Sequence, residues 1–415
     1  MQEPLGAKGV ESMSDGMLRF DFMGEAEGLA ERLTEIRRDF HRNPELSFQE
    51  FRTAGTIAEI LRGLGLQVRE KVGGTGVVGL LKGANPGPTI AIRADIDALP
   101  ILELAEVPFR SRNEGVMHAC GHDVHAACGL GAAMLATRVR DRLRGDLLFL
   151  FQPAEEKNLG AKAMVEEGVM SDPRVDMIFG LHNHPEVPAG RIAVKEGALM
   201  AAVDTIFVKI TGKGGHGALP HRDIDPIVAA SSVVMNVQTI VSRNVEPSSP
   251  AVVSFGSIRG GEANNVIPDC VELSGTVRSY DPATRDLVER RLREMVEASA
   301  AALGCRGELT YCRDLPPVLN DPLATCFARS AVESLIGAEG VVDPVPSMGG
   351  EDFAVFMERA PGCFLWLGVG NADIGAIHPW HSPLFMADER ALPLGAAVLV
   401  RSAINAMEGL ARKRR

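Results

Sequence analysis

The stretch from Met117 to His125 concentrates side chains that can bind metal: three histidines, one aspartate and one cysteine within nine residues. Imidazole and thiolate are ligands for zinc and its neighbours, and Cys120 and His122 can reach one ion where the backbone is extended or turning. The stretch also fits a plain helix start, in which Asp123 caps the helix, the other two histidines lie at the surface and the cysteine is a small buried residue. Partners elsewhere in the chain must decide between the two interpretations.

Further acidic and imidazole side chains follow three apolar, strand-like runs. They are Asp95 after the run 89–94, Glu155 and Glu156 after the run 146–151, and His182 after the run 175–181. Helical patterns separate the runs, which predicts a mostly parallel sheet covered by helices on both faces, an α/β fold. Ligand sites in such sheets lie at the carboxyl ends of the strands. We therefore expect these side chains to meet near the Cys-x-His segment.

The candidate donors suit a catalytic metal site better than a structural one. They are Cys120, His122, Glu156, His182 and His381. Structural zinc is normally closed by four ligands in short pairs, whereas these five are mixed in type and spread over about 260 residues, a pattern that also allows two metals. Glu155, next to a ligand, could accept and deliver protons. On its own, the glutamate pair would equally fit an acidic helix start.

The order of elements predicts two domains, as expected for 415 residues. Between about residues 201 and 315 the pattern becomes βαββαβ, typical of a compact α+β domain. Long helices and an apolar strand then return. We predict a metal-binding catalytic domain over 25–200 and 316–415, interrupted by an inserted domain over 201–315. Residues 1–24 are predicted to be a flexible leader, without the apolar run of a secretion signal.

Composition narrows the functional classes. A net charge of −11 and the lack of a long basic patch argue against nucleic-acid binding. Seven cysteines without paired spacing predict reduced thiols and a cytoplasmic location. The late apolar run 391–400 contains Pro393 and is too short for a membrane span, so we interpret it as a buried last helix.

Ordered motifs along residues 31–403 resemble those of the two-metal aminoacylase and carboxypeptidase superfamily. The resemblance is closest to the branch that contains hippurate hydrolase and the plant hydrolases of indole-acetyl amino acids. The motifs are RDFHRNPEL at 38–46, RADIDALP at 93–100, MHACGHDVH at 117–125, QPAEE at 152–156, GLH at 180–182, GKGGHGALPH at 212–221, NVIPD at 265–269 and GGEDF at 349–353.

The resemblance implies two divalent ions per subunit, zinc, manganese, cobalt or nickel, held by Cys120, His122, Glu156, His182 and His381. It implies that Glu155 is the general base and that Asp95 supports the ligands without binding metal. Related carboxypeptidases have a histidine ligand two residues before the corresponding aspartate. This chain has Arg93 there, so its metal set must be completed by the Cys-x-His pair.

The resemblance also assigns roles to the inserted domain, as a lid that forms a homodimer. His216 would be a transition-state donor, and Asn265 and Arg278 would hold the carbonyl or carboxylate of the substrate. Without the resemblance, His216 fits an ordinary residue of a Gly-rich turn, and each of the other two fits a turn residue or a solvated strand end.

The function we expect is metal-dependent hydrolysis of the amide bond of N-acyl amino acids, which gives a carboxylic acid and a free amino acid. A dipeptidase or carboxypeptidase of the same chemistry is the near alternative. A thiol hydrolase that uses Cys120 and His122 would leave the glutamate pair and His182 without a role. A non-catalytic metal-binding protein would not need Glu155.

Overall fold

The computed structural model describes residues 20–413, and the chain divides into two compact units. The first unit comprises the residues up to Gly197, Leu319–Val345 and the residues from Asp352 onward. The second comprises Ala198–Val318 and Pro346–Glu351. Most of the predicted leader lies outside the described residues, but residues 22–24 belong to the first helix, where Phe22 is buried.

The helices are α1 (Phe22–Glu27), α2 (Ala30–Arg42), α3 (Phe51–Gly63), α4 (His122–Arg138), α5 (Gly160–Glu166), α6 (Pro226–Arg243), α7 (Pro282–Ala301), α8 (Pro322–Ile336), α9 (Phe353–Met357) and α10 (Ala391–Lys413). The strands are β1 (Gln67–Val72), β2 (Gly76–Leu81), β3 (Asn85–Asp95), β4 (Arg144–Gln152), β5 (Met177–Pro188), β6 (Ile192–Ala193), β7 (Gly197–Met200), β8 (Ala202–Thr211), β9 (Gly215–His216), β10 (Ala251–Arg259), β11 (Val266–Ile267), β12 (Cys270–Ser279), β13 (Arg306–Leu315), β14 (Val318–Asn320), β15 (Val341–Val342) and β16 (Gly362–Gly370).

The first unit is built on an eight-stranded sheet in the order β1-β2-β4-β3-β5-β16-β6-β15. The central neighbours β4, β3, β5 and β16 run parallel to one another, as does the pair β6 and β15. The hairpin β1-β2 adds two antiparallel strands at one edge, and β6 is antiparallel to β16. The mostly parallel sheet predicted from the sequence is therefore confirmed.

Helix α10 forms much of the core of the first unit, packing against α4, α8 and β3. It runs from Ala391 to Lys413, well beyond the predicted apolar run, because Pro393 lies in the first turn, where a missing N–H costs no helical bond. By length and composition the helix could cross a membrane, but 72% of its most apolar 18-residue stretch is buried. The interpretation as a buried last helix is confirmed, whereas its predicted length was wrong.

The second unit contains the predicted βαββαβ order as β8, α6, β10, β12, α7 and β13. Its four strands form an antiparallel sheet in the order β10-β12-β8-β13. Side chains of α6 and α7, including Val233, Val237 and Leu292, pack on this sheet to form a separate core. The late segment Pro346–Glu351 joins this unit because Ser347 exchanges backbone hydrogen bonds with Leu199 and Ala201.

Candidate metal centre

The central parallel strands bring the predicted polar residues to one edge of the first unit's sheet. The register pairs Asp95 with Gln152, and the backbone then enters the short turn that carries Glu155 and Glu156. On the other side of β3, strand β5 continues to His182. The convergence expected from the strand ends is therefore present in the structure.

The Cys-x-His segment turns sharply between its two donors. Gly121 has a φ of +83°, and helix α4 begins directly after it, at His122. A Cβ atom on Gly121 would lie 2.3 Å from Asn183 Nδ2, so a side chain has no room there. This turn places the Cys120 side chain before the helix and the His122 side chain in its first turn.

The plain helix start considered for this segment is wrong. Asp123 does not cap the helix: its carboxylate forms an ion pair with Arg37, whose Nε lies 2.7 Å away, and accepts a hydrogen bond from His41 Nδ1 at 2.8 Å. His118 and His125 are not surface residues, because they are 1% and 0% exposed. All three histidines of this stretch are therefore buried, and two of them, His122 and His125, are hydrogen-bonded to the carboxylates of Asp97 and Asp95.

The five predicted donors form two overlapping groups in the first unit. In one, the ligand atoms of Cys120, His122 and His182 lie within 4.8 Å of one another, and in the other those of Cys120, Glu156 and His381 do so. Sγ of Cys120 lies 3.4 Å from His182 Nε2, and His381 Nε2 lies 3.4 Å from Glu156 Oε1. Two groups that share a thiolate offer donors for two neighbouring ions.

Two buried donor atoms in these groups have no hydrogen-bond partner among residues 20–413: His122 Nε2 and Glu156 Oε1. Leaving a buried polar atom unpaired costs about 1–3 kcal/mol, and within a cluster of metal-binding side chains a bound ion accounts for such atoms. The two atoms are 3.9 Å apart, too far for a hydrogen bond but close enough to bind one cation between them. The donor set thus fits divalent metal.

Hydrogen bonds from the Nδ1 atoms of His122 and His182 leave the Nε2 atoms of these rings available as metal ligands. His122 Nδ1 donates to Asp97 Oδ1 at 3.1 Å, and His182 Nδ1 donates to the Asn183 carbonyl at 2.7 Å. A metal-binding histidine typically donates its other nitrogen to a carboxylate or carbonyl in this way. Burial lowers the pKa of His182 well below its ordinary value, which keeps that imidazole neutral.

The electrostatics of the cluster favour a cation. Burial opposes protonation of His122, but Asp95 and its other neighbours raise the pKa of this imidazole well above its ordinary value. Burial also raises the pKa of the Cys120 thiol well above its ordinary value, so a thiolate needs positive charge beside it. A thiol with a raised pKa is a poor nucleophile, so the site does not favour Cys120 as the nucleophile of a thiol hydrolase.

Asp95 and Arg93 lie behind the proposed metal ligands. Asp95 Oδ1 accepts a hydrogen bond from His125 Nδ1 at 2.5 Å, and its Oδ2 accepts one from Arg93 at 2.8 Å. Nε2 of the proposed metal ligand His122 lies 3.8 Å from Asp95 Oδ2. Arg93 is fully buried and also donates to Gln152 and Asp352. A guanidinium has no lone pair for a metal. The arginine therefore fixes carboxylates behind the metal-binding side chains and does not itself bind metal.

Asp97 is a residue of this site to which the sequence analysis gave no role. Besides the bond from His122, it accepts hydrogen bonds from Ser47 Oγ at 2.7 Å and from the backbone N–H of Glu156 at 3.1 Å. Burial opposes its ionisation, but the His122 contact lowers the pKa of Asp97 below its ordinary value. Its position two residues after Asp95, on the same motif, was the only signal in the sequence.

Asp97→Asn is expected to weaken metal binding about 10–100-fold, the usual effect of removing a carboxylate behind a histidine ligand. The amide can no longer accept hydrogen bonds at both atoms, so the ring of His122 loses its fixed orientation. Zinc titration against a chromophoric chelator measures the change, with Asp373→Asn at an exposed turn as the control. Wild-type affinity in Asp97→Asn would contradict the orienting role.

In the second unit, the structure brings together two of the three residues predicted in the inserted domain. His216 pairs with Val266 across the short ribbon of β9 and β11, and the N–H of Gly217 donates to the carbonyl of Asn265 at 2.8 Å. His216 is exposed. Arg278 lies on β12 and is half-buried rather than a solvated strand end. The roles of these residues remain predictions.

The mostly parallel sheet and the clustered N, O and S donors are typical of a metal-dependent hydrolase. The model of Peptidase family M20/M25/M40 matches residues 91–405, and the chain belongs to this family. It is similar to N-acetyl-L-cysteine deacetylase of Bacillus subtilis, with 43% identity over 90% of this chain and 88% of the relative.

Two further similarities agree with this membership. An IAA-amino acid hydrolase of Arabidopsis thaliana is 39% identical over 92% of this chain and 86% of its own length. The crystal structure of a dinuclear metal-binding peptidase of the M20 family from Bacillus subtilis aligns with a TM-score of 0.83 and 40% identity, covering 92% of this chain and 99% of that one. The predicted resemblance is confirmed.

Proposed function

We propose that this chain is a metal-dependent amidohydrolase that cleaves the amide bond of N-acyl amino acids and uses two divalent ions. The observation that carries the proposal is the pair of overlapping donor groups, with the unpartnered atoms His122 Nε2 and Glu156 Oε1 beside Glu155. The deacetylase and IAA-amino acid hydrolase relatives support the substrate class.

Cys120, His122, Glu156, His182 and His381 are the proposed metal ligands. The ions supply Lewis-acid activation of the scissile carbonyl and of water. Glu155 is 7% exposed and lies in a group with His122 and Glu156, next to the proposed ligands. It accepts the proton of the attacking water and delivers it to the departing nitrogen. Asp95 and Asp97 hold the ligand side chains in place.

The metal, the location and the assembly belong to the same proposal. Mixed nitrogen, sulfur and oxygen donors suit zinc, manganese, cobalt or nickel. A cytoplasmic location is supported by the seven free cysteines. We propose that the inserted unit is a lid that pairs with its twin in a homodimer, that His216 stabilises the transition state, and that Asn265 and Arg278 hold the substrate.

A dipeptidase or carboxypeptidase would use the same ions and the same glutamate. The proposed amidohydrolase and a peptidase differ in the group on the acyl side of the amide bond that they cleave. A panel of N-acetyl, N-benzoyl and indole-acetyl amino acids beside unmodified dipeptides therefore separates the two kinds of enzyme. We expect kcat/KM to be higher for the N-acyl substrates. Preference for dipeptides would replace the proposed substrate class and keep the metal chemistry.

Removal of metal is expected to abolish hydrolysis, because the ions would supply the Lewis-acid activation of the scissile carbonyl and of water. The measurement is turnover after dialysis against a chelator, followed by addition of zinc, manganese, cobalt or nickel. At least one of these ions should restore activity. Full activity in the demetallated protein, with loss only after thiol alkylation, would favour the Cys120 mechanism.

A further inference from the structure

Asn183 directly follows the proposed ligand His182 and is fully buried. Its backbone carbonyl accepts two hydrogen bonds, one from His182 Nδ1 at 2.7 Å and one from Trp380 Nε1 at 3.0 Å. Trp380 is the neighbour of His381, another proposed ligand. One carbonyl therefore connects two ligand-bearing segments that lie about 200 residues apart in the sequence.

The side chain of Asn183 reaches a third segment. Its Nδ2 atom donates to the backbone carbonyl of Cys120 at 2.6 Å. The same amide fills the space beside Gly121 that a Cβ atom would need. The turn between Cys120 and His122 is thus packed against the asparagine that also bonds to the other two segments.

A buried chain of hydrogen bonds holds Asn183 from behind. The backbone N–H of Asn183 donates to His125 Nε2 at 2.8 Å, which fixes this nitrogen as an acceptor and Nδ1 as the donor to Asp95. Asp95 in turn accepts from Arg93. Both nitrogens of His125 are therefore engaged, so this histidine supports Asn183 instead of binding metal.

We propose that Asn183 is a positioning residue that fixes the segments of Cys120, His182 and His381 in the arrangement that the two ions require. The inference rests on the proposed metal site and adds a residue that does not touch metal or substrate. Asparagine suits the place because it offers a neutral donor and an acceptor on a short side chain, whereas aspartate has no donor for the Cys120 carbonyl. Ligands held in advance lose less freedom when an ion binds.

The test is Asn183→Leu, which keeps a similar volume and removes the side-chain hydrogen bonds. We expect the dissociation constant for zinc to rise about 10–100-fold, the range found when groups behind metal ligands are lost. In the cobalt-substituted protein, the charge-transfer band from the Cys120 thiolate to cobalt should weaken, because the Cys120 carbonyl loses its donor. Circular dichroism checks that the variant is folded.

Asn320→Leu is the matched control for loss of a buried asparagine. Asn320 is 2% exposed and donates to the carbonyls of Lys195 and Phe364, neither of which is in a ligand-bearing segment. We expect a lower melting temperature in this variant, with the zinc affinity and cobalt spectrum of the wild type. If both variants lose metal binding to the same degree, general destabilisation explains the effect and the proposal fails.

Trp380→Phe provides a second test that does not depend on the folding of Asn183→Leu. It removes one donor to the Asn183 carbonyl from a half-buried position, so we expect weaker zinc binding with the thiolate-to-cobalt band retained. Wild-type zinc affinity in both Asn183→Leu and Trp380→Phe, or in Trp380→Phe alone if the first does not fold, would overturn the role of Asn183. A wild-type protein that binds neither zinc nor cobalt would instead overturn the metal site itself.

Discussion

Glu155→Gln is expected to lower kcat by at least ~10²-fold while the metal content stays near that of the wild type. The amide keeps the shape of the side chain but cannot accept the proton of water. Glu155 begins a short turn directly after Ala154, which has a φ of +51°, and it is only 7% exposed, so an amide of the same size can occupy its place. The change therefore removes proton transfer and leaves the neighbouring donors in place.

Glu156→Gln is expected to lose metal instead. Its Oε1 atom lies 3.4 Å from His381 Nε2 and 3.9 Å from His122 Nε2, and loss of its charge removes a ligand from between two histidines. Elemental analysis after gel filtration, combined with steady-state kinetics, separates the two glutamates. Glu166→Gln, on the exposed side of α5, is the control for the amide substitution. Metal loss in Glu155→Gln alone would reverse the two assignments.

The sequence was most informative where chemistry and periodicity coincide. Strands β3, β4 and β5 are apolar runs, and the polar residues that follow them meet because parallel strands share one edge. Glu156 and His182 could therefore be grouped from the strand ends, whereas Cys120, His122 and His381 were added for their ligand types. The division between a ligand, Glu156, and a proton carrier, Glu155, was also predicted from the residues, and the resemblance added the order of motifs.

Residues that act through others could not be predicted in this way. Asp97, His125 and Asn183 bond to residues that are distant in sequence, and their types are as common in turns and on surfaces as in buried networks. The same limit applies to Pro346–Glu351, which joins the second unit through backbone hydrogen bonds that leave no pattern in the side chains. Local sequence patterns predict helices and strands, whereas these hydrogen bonds join residues that only the complete fold brings together.

Mixing two inactive homodimers, Glu155→Gln and His216→Ala, is expected to restore activity. The proposed dimer provides the reason: His216 is exposed on the short ribbon of the second unit, and we propose that it completes the site of the other subunit. Each site would then need Glu155 from one chain and His216 from its partner. A mixed dimer would contain one site with both residues intact and one site with neither.

The amount of activity recovered shows whether His216 acts in the site of the partner subunit or in the site of its own chain. With random exchange of subunits, half of the dimers are mixed and each has one intact site of two, so activity should approach roughly a quarter of the wild-type value. Mixing tagged and untagged Glu155→Gln is the control, and native mass spectrometry reports the exchange in both experiments. If His216 acts within its own chain, no site in a mixed dimer is complete, and activity would stay at the level of the separate variants although exchange had occurred.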